Sequence, residues 1–107
     1  MSYRLEFKTS AQKEWRKLDS PIREQFKKKL IERLTQPRIE SARLSGMPDC
    51  YKIKLRTAGY RLVYQLENAT IIIIVVSVGK REDSAIYMAA AKRINNPETK
   101  YHDLKFE

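Results

Sequence analysis

The sequence carries a cluster of basic residues on alternate positions. Lys52, Lys54 and Arg56 are separated by apolar residues, and Arg61 follows after a short break. Residues two apart on a β-strand point to the same face of a sheet, so the first three would share a face, and a hairpin could add Arg61. Residues 51–66 contain no acidic residue to balance them. Because like charges on paired strands destabilise a sheet, the cluster indicates a polyanionic partner, while a solvated strand face stays open as the alternative.

The composition limits other kinds of catalytic site. His102 is the only histidine, which excludes a two-histidine ribonuclease mechanism and a histidine-rich metal site. Cys50 is the only cysteine, so it cannot form an internal disulfide, and no histidine lies near it in the sequence to activate it. We therefore expect no metal, no cofactor and a structural thiol. Any chemistry would depend on lysine, arginine and tyrosine.

Two further groups of basic residues could contact a polyanion. Lys80 and Arg81 follow a glycine at the end of an apolar run, where a loop can present them to a ligand. Arg23, Lys27 and Lys28 lie on a predicted helix whose glutamates offer partners one turn away. For that helix, contact with phosphates and a solubilising polar face are both open.

Three tyrosines lie close to the basic residues in the predicted elements. Tyr60 and Tyr64 fall on the strand that carries Arg61, and Tyr87 lies one turn into the last predicted helix. Aromatic rings beside basic residues can stack on nucleic-acid bases, for about 1–3 kcal/mol each. Core packing is the expected role of Tyr64, whereas for Tyr87 packing and stacking are both open.

The N-terminal half predicts one strand followed by two helices. Polar and apolar residues alternate over 2–8, which is typical of a strand. Thr9 offers a hydroxyl N-cap for a first helix. Ser20, with Pro21 at the first helical position, starts a second helix that has an apolar stripe, and Pro37 ends it. The two helices would form a helical hairpin.

The C-terminal half predicts three strands and a helix. Alternation over 51–56 and 60–66 indicates a β-hairpin, and the unbroken β-branched run within 70–78 predicts a central strand buried on both faces. A last helix is expected over 84–94, with Asp83 as its N-cap. The fold class is therefore α+β: a small antiparallel sheet with an N-terminal helical hairpin and a C-terminal helix. A mixed sheet stays open.

Length and charge predict one basic domain. The chain has 107 residues, with 22 Lys+Arg against 13 Asp+Glu, for a net charge of +9. We assign the domain to residues 1–94 and treat 95–107 as a polar C-terminal extension, which holds two lysines against three acidic residues. The longest apolar run, 71–76, is far shorter than the roughly 18 residues of a membrane span, and no apolar leader is evident. We expect a cytoplasmic protein without a membrane partner.

Several segments together resemble the RelE toxin family. They are KEWRKL, PRIE, MPDCYKIKLR, GYRLVYQ and SVGKR, and the similarity covers essentially residues 1–94. The resemblance implies a compact microbial-ribonuclease-like RelE/ParE fold. It also implies the toxin of a type II toxin–antitoxin system, an endonuclease that cuts messenger RNA in the A site of the 70S ribosome and so inhibits translation. A RelB-type antitoxin would be its partner, and operator DNA would be contacted only through the antitoxin complex.

The resemblance also assigns roles to individual residues. The family's active positions fall on Lys52, Lys54, Arg61, Arg81 and Tyr87. The implied reaction is attack by a ribose 2′-hydroxyl on the adjacent phosphate, which leaves a cyclic phosphate and a 5′-hydroxyl. A lysine can act as the base only when its pKa falls, and crowding by like charges lowers it, so Lys54 is the better base, with Lys52 as a phosphate contact. Arg61 and Arg81 would hold the phosphate, and the resemblance makes Arg81 the general acid. A guanidinium is an inefficient acid, so we give more weight to charge stabilisation by Arg81, and Tyr87 would stack on a base.

Further residues would contact RNA or the ribosome around these positions: Arg56, Lys80, Lys27, Lys28 and Arg23. Two other functions stay open. A ParE-like toxin of the same fold would poison DNA gyrase by binding and would not use the five active positions. An accessory nucleic-acid-binding domain would bind in a salt-dependent manner and would not arrest growth.

Overall fold

A five-stranded sheet with helices on both faces organises the fold. The computed structural model describes residues 3–67, 72–80 and 85–94, and the backbone of 101–103. None of the described helices is long and apolar enough to cross a membrane. In chain order the elements are β1 (Arg4–Lys8), α1 (Thr9–Arg16), α2 (Ser20–Thr35), a 3-10 turn (Glu40–Ala42), β2 (Cys50–Leu55), β3 (Tyr60–Glu67), β4 (Ile72–Lys80), α3 (Ala85–Ile94) and β5 (Tyr101–Asp103).

The first two helices each begin one residue earlier than the sequence predicts. Thr9 is already helical, and Lys8 has the extended dihedrals of a cap, with φ −66° and ψ 150°. Ser20 is likewise helical, and Asp19 takes the cap position with φ −64° and ψ 149°. The predicted caps at Thr9 and Ser20 are therefore wrong, because the turn from extended to helical backbone occurs one residue earlier. The third predicted cap, Asp83, lies outside the described residues.

The strands are arranged in the order β2-β3-β4-β1-β5, and the sheet is mixed. β1 runs parallel to β4, whereas the other neighbouring pairs are antiparallel. The two helices carry the chain from β1 to the far edge, so β4 returns beside β1 in the same direction. The α+β prediction is confirmed, with the mixed sheet rather than the purely antiparallel one. β5 lies in the segment predicted to be a polar extension, and its backbone pairs with β1 opposite Glu6, Phe7 and Lys8.

One face of the sheet packs against α1 and α2 through an aromatic core. The rings of Phe7 and Trp15 meet edge to face with centroids 5.2 Å apart, and Trp15 lies 6.3 Å from Phe26. On the neighbouring strands, Tyr51 and Tyr64 stack at 5.6 Å. All five side chains are buried, and burying a large apolar side chain stabilises a fold by about 1.5–3 kcal/mol. This face, which α1 and α2 cover, therefore supplies most of the hydrophobic stabilisation.

The opposite face carries α3 over a smaller apolar contact. Its buried members are Cys50, Val63, Val76 and Ala90. Burial raises the pKa of the Cys50 thiol to about 11. Because a thiol reacts as the thiolate, this cysteine is inert at neutral pH, in agreement with the structural role expected from the sequence.

Polar contacts fasten the C-terminal end of α3 to the rest of the domain. Arg93 forms a bidentate pair with Glu14, with Nη1–Oε1 at 2.7 Å and Nη2–Oε2 at 3.0 Å. Glu14 also accepts the backbone N–H of Val78 at 3.2 Å, beyond the point where β1 pairs with β4. The Lys8 ammonium donates to the carbonyl of Arg93 at 2.5 Å, a favourable place for a cation because a helix C-terminus is negative. Burial, together with the charge of Arg93, lowers the pKa of Lys8.

Candidate active site

The β2–β3 hairpin places two of the predicted site residues side by side. Lys54 lies directly opposite Arg61, and Lys52 is two residues away on the same strand. Directly opposed residues share a face, which here is the face opposite the aromatic core. The connecting turn uses Gly59 at φ +73°, a conformation that glycine adopts without strain, and its N–H donates to the carbonyl of Leu55 at 2.8 Å. The predicted convergence of Arg61 with the β2 cations is therefore observed.

Tyr87 of α3 lies over Arg61. The guanidinium carbon is 5.4 Å from the ring centroid, within the range of a cation–π interaction. α3 can approach this closely because Gly79, opposite Arg61 on β4, has no side chain, and a Cβ there would be 2.9 Å from Cδ1 of Ile86. The Ser77 hydroxyl donates to the carbonyl of Ile86 at 2.9 Å. Two small residues of β4 thus set the height of Tyr87 above the sheet.

Two clefts flank β2 beside these residues. The hairpin cleft, of about 260 Å³, is lined by Lys54, Leu55, Arg56, Gly59, Tyr60 and Arg61. The edge cleft, of about 360 Å³, is lined by Arg33, Ser41, Ala42, Lys52, Lys54 and Arg56. Lys54 and Arg56 line both. A larger cleft of about 480 Å³ beside residues 40–48 contains a single arginine, Arg43, whose Nη1 lies 3.8 Å from Oε1 of Glu40, so it has no comparable excess of positive charge.

Arg33 is the basic residue of this region that the predicted site omits. It extends from α2 to the strand edge, where its Nη1 donates to the Tyr64 hydroxyl at 2.7 Å and to the carbonyl of Lys52 at 3.4 Å. Arg33 follows Phe26 by seven residues and Leu30 by three, which is the spacing of the buried face of α2. That spacing is a sequence signal that it points towards the sheet rather than into solvent.

The helix cations predicted to contact RNA line neither of the two clefts. Arg23 donates from Nη1 to the carbonyl of Leu18, at the corner between α1 and α2. Lys27 pairs with Glu24 at 3.3 Å, and Lys28 is exposed. The geometry gives Arg23 a contact within the fold, and the RNA contacts of all three remain predictions.

The remaining predicted residues lie near the ends of strands. Arg56 is exposed just after β2, and Lys80 is exposed at the end of β4, opposite Tyr60. Arg81 lies outside the described residues, so its place in the site remains a prediction. Within the described ranges, no group of three histidine, cysteine or acidic side chains could hold a metal ion.

Comparison with known proteins identifies the family. The family model described as the ParE toxin of the type II toxin–antitoxin system parDE matches residues 5–85. The chain belongs to this toxin family. The mRNA interferase toxin RelE of Escherichia coli strain K12 is 61% identical to this family member over 94 residues, which cover 88% of the chain and 99% of the relative.

Solved structures of related toxins share the fold. A mutant of the E. coli toxin RelE in the free state matches with a TM-score of 0.82 at 60% identity, covering 88% of this toxin and 99% of that chain. A chain of the intact E. coli RelBE toxin–antitoxin complex matches with a TM-score of 0.74 at 60% identity, covering 77% and 100%. The resemblance to RelE and the fold that it implies are confirmed.

Proposed function

We propose that this toxin is a ribosome-dependent endoribonuclease that cuts messenger RNA in the ribosomal A site and thereby inhibits translation. One observation carries the proposal: the hairpin sets Lys54 against Arg61, with the ring of Tyr87 over Arg61, on a sheet face that is free of the aromatic core. The high identity to an mRNA interferase supports the same activity.

The reaction that these residues can perform is transesterification at a phosphate. The 2′-oxygen of a ribose forms a bond to the adjacent phosphorus, and the bond from phosphorus to the 5′-oxygen of the next nucleotide breaks. The 2′ proton passes to a base, and the leaving 5′-oxygen gains a proton, so the products are a cyclic phosphate and a 5′-hydroxyl. The protein must supply the base and stabilise the charge that develops on the phosphate.

Lys54 is the proposed base. A protonated Lys54 would face the positive charge of Arg61 directly, which favours the neutral amine that a base requires. Lys52, two residues away on the same face, is proposed to contact a phosphate of the message. Neither residue needs a metal ion for these roles.

Arg61 is the proposed phosphate ligand, and Tyr87 holds it in place. A guanidinium can donate two parallel hydrogen bonds to phosphate oxygens. The cation–π contact at 5.4 Å restricts the guanidinium before substrate arrives, which lowers the cost of ordering it. We further propose that Tyr87 stacks on a base, that Arg81 stabilises the phosphate and the leaving oxygen, and that Arg56 and Lys80 contact the RNA backbone.

Lysine and arginine are weak acid–base catalysts, so substrate positioning must contribute much of the rate. This is the physical reason for proposing that the ribosome, which holds the message in a fixed conformation, is required. A RelB-type antitoxin is the proposed inhibitory partner, since related toxins have been solved in RelBE complexes. Contact with operator DNA is proposed only for that complex, and the cytoplasm is the proposed compartment.

A second candidate is a ParE-like gyrase inhibitor, because the matching family model is described by the ParE toxin. Such an inhibitor would act by binding and would have no use for an opposed Lys54–Arg61 pair. Its expected effect is DNA damage with intact messages.

Message-end mapping tests the proposal against this alternative. The purified toxin is added to ribosomes that hold a message with an empty A site, and new 5′ ends are mapped by primer extension. We expect cleavage by the unmodified toxin, a loss of at least about 100-fold with Lys54→Ala or Arg61→Ala, and no loss with Lys17→Ala, which removes an exposed lysine just after α1. Equal cutting by all four proteins, or inhibition of gyrase without new ends, would overturn it.

A further inference from the structure

Arg33 holds a guanidinium at the edge of β2 with hydrogen-bond donors to spare. Its carbon lies 5.7 Å from the ring centroid of Tyr64, and Nη1 makes both of its hydrogen bonds. The Tyr64 hydroxyl in turn donates to the carbonyl of Pro37 at 2.7 Å. A guanidinium has five N–H donors. Because Nη1 makes every side-chain hydrogen bond of Arg33 found within the described residues, the donors on Nη2 and Nε are available to a ligand.

The edge cleft, which Arg33 helps to line, is strongly cationic. Four of its six lining residues are basic, and none is acidic. Its other two lining residues, Ser41 and Ala42, belong to the 3-10 turn, whose one carboxylate, on Glu40, lies beside Arg43 instead. No aromatic residue lines the cleft, so it offers no surface on which a base could stack. Its chemistry suits a phosphate group.

The edge cleft is also adjacent to the proposed reaction centre. It shares Lys54 and Arg56 with the hairpin cleft, so the two clefts adjoin at the C-terminal end of β2. Lys52 and Lys54 are two residues apart, which on a strand is about 6.6 Å. That separation is comparable to the distance between successive phosphates of an extended RNA strand. A strand with one phosphate at Lys54 would therefore bring the next one to Lys52 and Arg33.

We propose that the edge cleft, formed by Arg33, Ser41, Lys52 and Arg56, binds the phosphate next to the one that is cleaved in the message. The proposal rests on the proposed function. Arg33 is the specific ligand, since its orientation is fixed before RNA arrives, and Lys52 adds a second charge. The contact reads the backbone and not the base, so it positions the message without adding sequence preference.

Ser41→Glu tests the cleft without removing any of its cations. The variant places a carboxylate among the four basic side chains, and Ser10→Glu adds the same charge at an exposed position on α1 as the control. We expect Ser41→Glu to lower cleavage at limiting ribosome concentration by about tenfold or more, the scale of one charge-assisted hydrogen bond, with Ser10→Glu unchanged. Equal rates for the two variants would overturn the proposal.

A neutral linkage in the message identifies which phosphate is bound. Messages are made with a methylphosphonate at either of the two phosphates that flank the cleaved bond. For the unmodified toxin we expect one of the two substitutions to lower cleavage by about tenfold, and for Ser41→Glu we expect the same substitution to cause little further loss. Full additivity of the two effects would overturn the proposal and would place the contact elsewhere, for instance on ribosomal RNA.

Arg33→Gln gives a second and independent variant. It shortens the side chain and removes the charge, and a thermal melt reports any loss from the Tyr64 contact. If Arg33→Gln is folded and the same methylphosphonate causes little further loss of cleavage in it, the result supports the cleft. If the losses from Arg33→Gln and from the methylphosphonate add in full, the result contradicts it. If no message is cut at all, the proposed function fails. The cleft is then tested by itself, by binding of a short RNA oligonucleotide with and without the neutral linkage. If the cleft binds the phosphate, the unmodified toxin should bind the neutral form more weakly, and the cleft variants should bind both forms equally.

Discussion

The two faces of the sheet differ in chemistry although the same strands form both. On β2, Tyr51 and Ile53 point into the aromatic core, while the alternating residues Lys52 and Lys54 point to the face that carries the proposed site. The core side is closed by α1 and α2, whereas the opposite side carries α3 and the basic side chains that line the two clefts beside β2. Since the cations lie outside the core, they can be crowded together for chemistry with little cost in packing. The comparison predicts that stability and activity can be changed separately.

The largest expected effect on stability comes from the face that α1 and α2 cover. Phe26→Ala removes a fully buried ring and should lower the free energy of unfolding by about 3–5 kcal/mol. Lys54→Ala, on the other face, should change it by less than about 0.5 kcal/mol while abolishing cleavage. Urea denaturation measures both. A similar loss in the two variants would mean that the faces are not separable.

The attachment of α3 should contribute less. Glu14→Gln keeps the shape of the side chain but removes the charge that Arg93 faces, and we expect a loss of about 1–3 kcal/mol. Hydrogen exchange should show the loss first in α3, because the pair fastens its C-terminal end. Met88→Ala is the matched control on the same helix, since its side chain is 70% exposed, and it should leave the exchange rates unchanged.

The spacing between α3 and β4 should have a smaller effect on stability. Gly79→Ala brings a methyl group to within 2.9 Å of Cδ1 of Ile86 and should cost about 1 kcal/mol. Adding Ile86→Val removes that Cδ1 and should recover the lost stability. The NMR shifts of the Tyr87 ring should move in the single variant and return in the double variant. Unchanged ring shifts in Gly79→Ala would show that the glycine does not set the height of Tyr87.

The smallest effect appears only at alkaline pH. Cys50 keeps its proton up to about pH 11 in the folded chain, against an ordinary value of 9.0. Between these values the unfolded chain binds fewer protons, so the free energy of unfolding should fall as the pH rises. Cys50→Ala should show a smaller fall, because burial also raises the pKa of the Tyr64 hydroxyl, whose contribution remains. The lowered pKa of Lys8 adds stability as the pH rises towards 10.5. Because Cys50 and Lys8 interact electrostatically, the difference between the two proteins reports the thiol together with its coupling to Lys8.

The parts of the site that the sequence predicts are those with a local signal. Period two places Lys52, Lys54 and Arg56 together, and the short turn at Gly59 brings Arg61 opposite Lys54, so the hairpin half of the site follows from spacing alone. The parallel pairing of β1 with β4 does not, because it depends on how the helices cross the sheet.

Arg33 shows what local patterns omit. Its position on the buried face of α2 is visible in the sequence, but its contact with Tyr64 joins residues 31 positions apart. For Tyr87 the sequence leaves core packing and base stacking open. The structure adds a third role, the cation–π contact with Arg61. Arg81 stays a prediction.

The position of β2 at the edge of the sheet has a consequence for aggregation. Past Tyr51, which bridges to Arg43, the outer edge of β2 has no neighbouring strand among the described residues. An uncovered strand edge can recruit a strand from another molecule, and charged side chains, lysine above all, discourage this. Lys52 and Lys54 therefore also protect the isolated toxin against edge-to-edge association. A variant that neutralises both should be inactive and should also self-associate as its concentration rises.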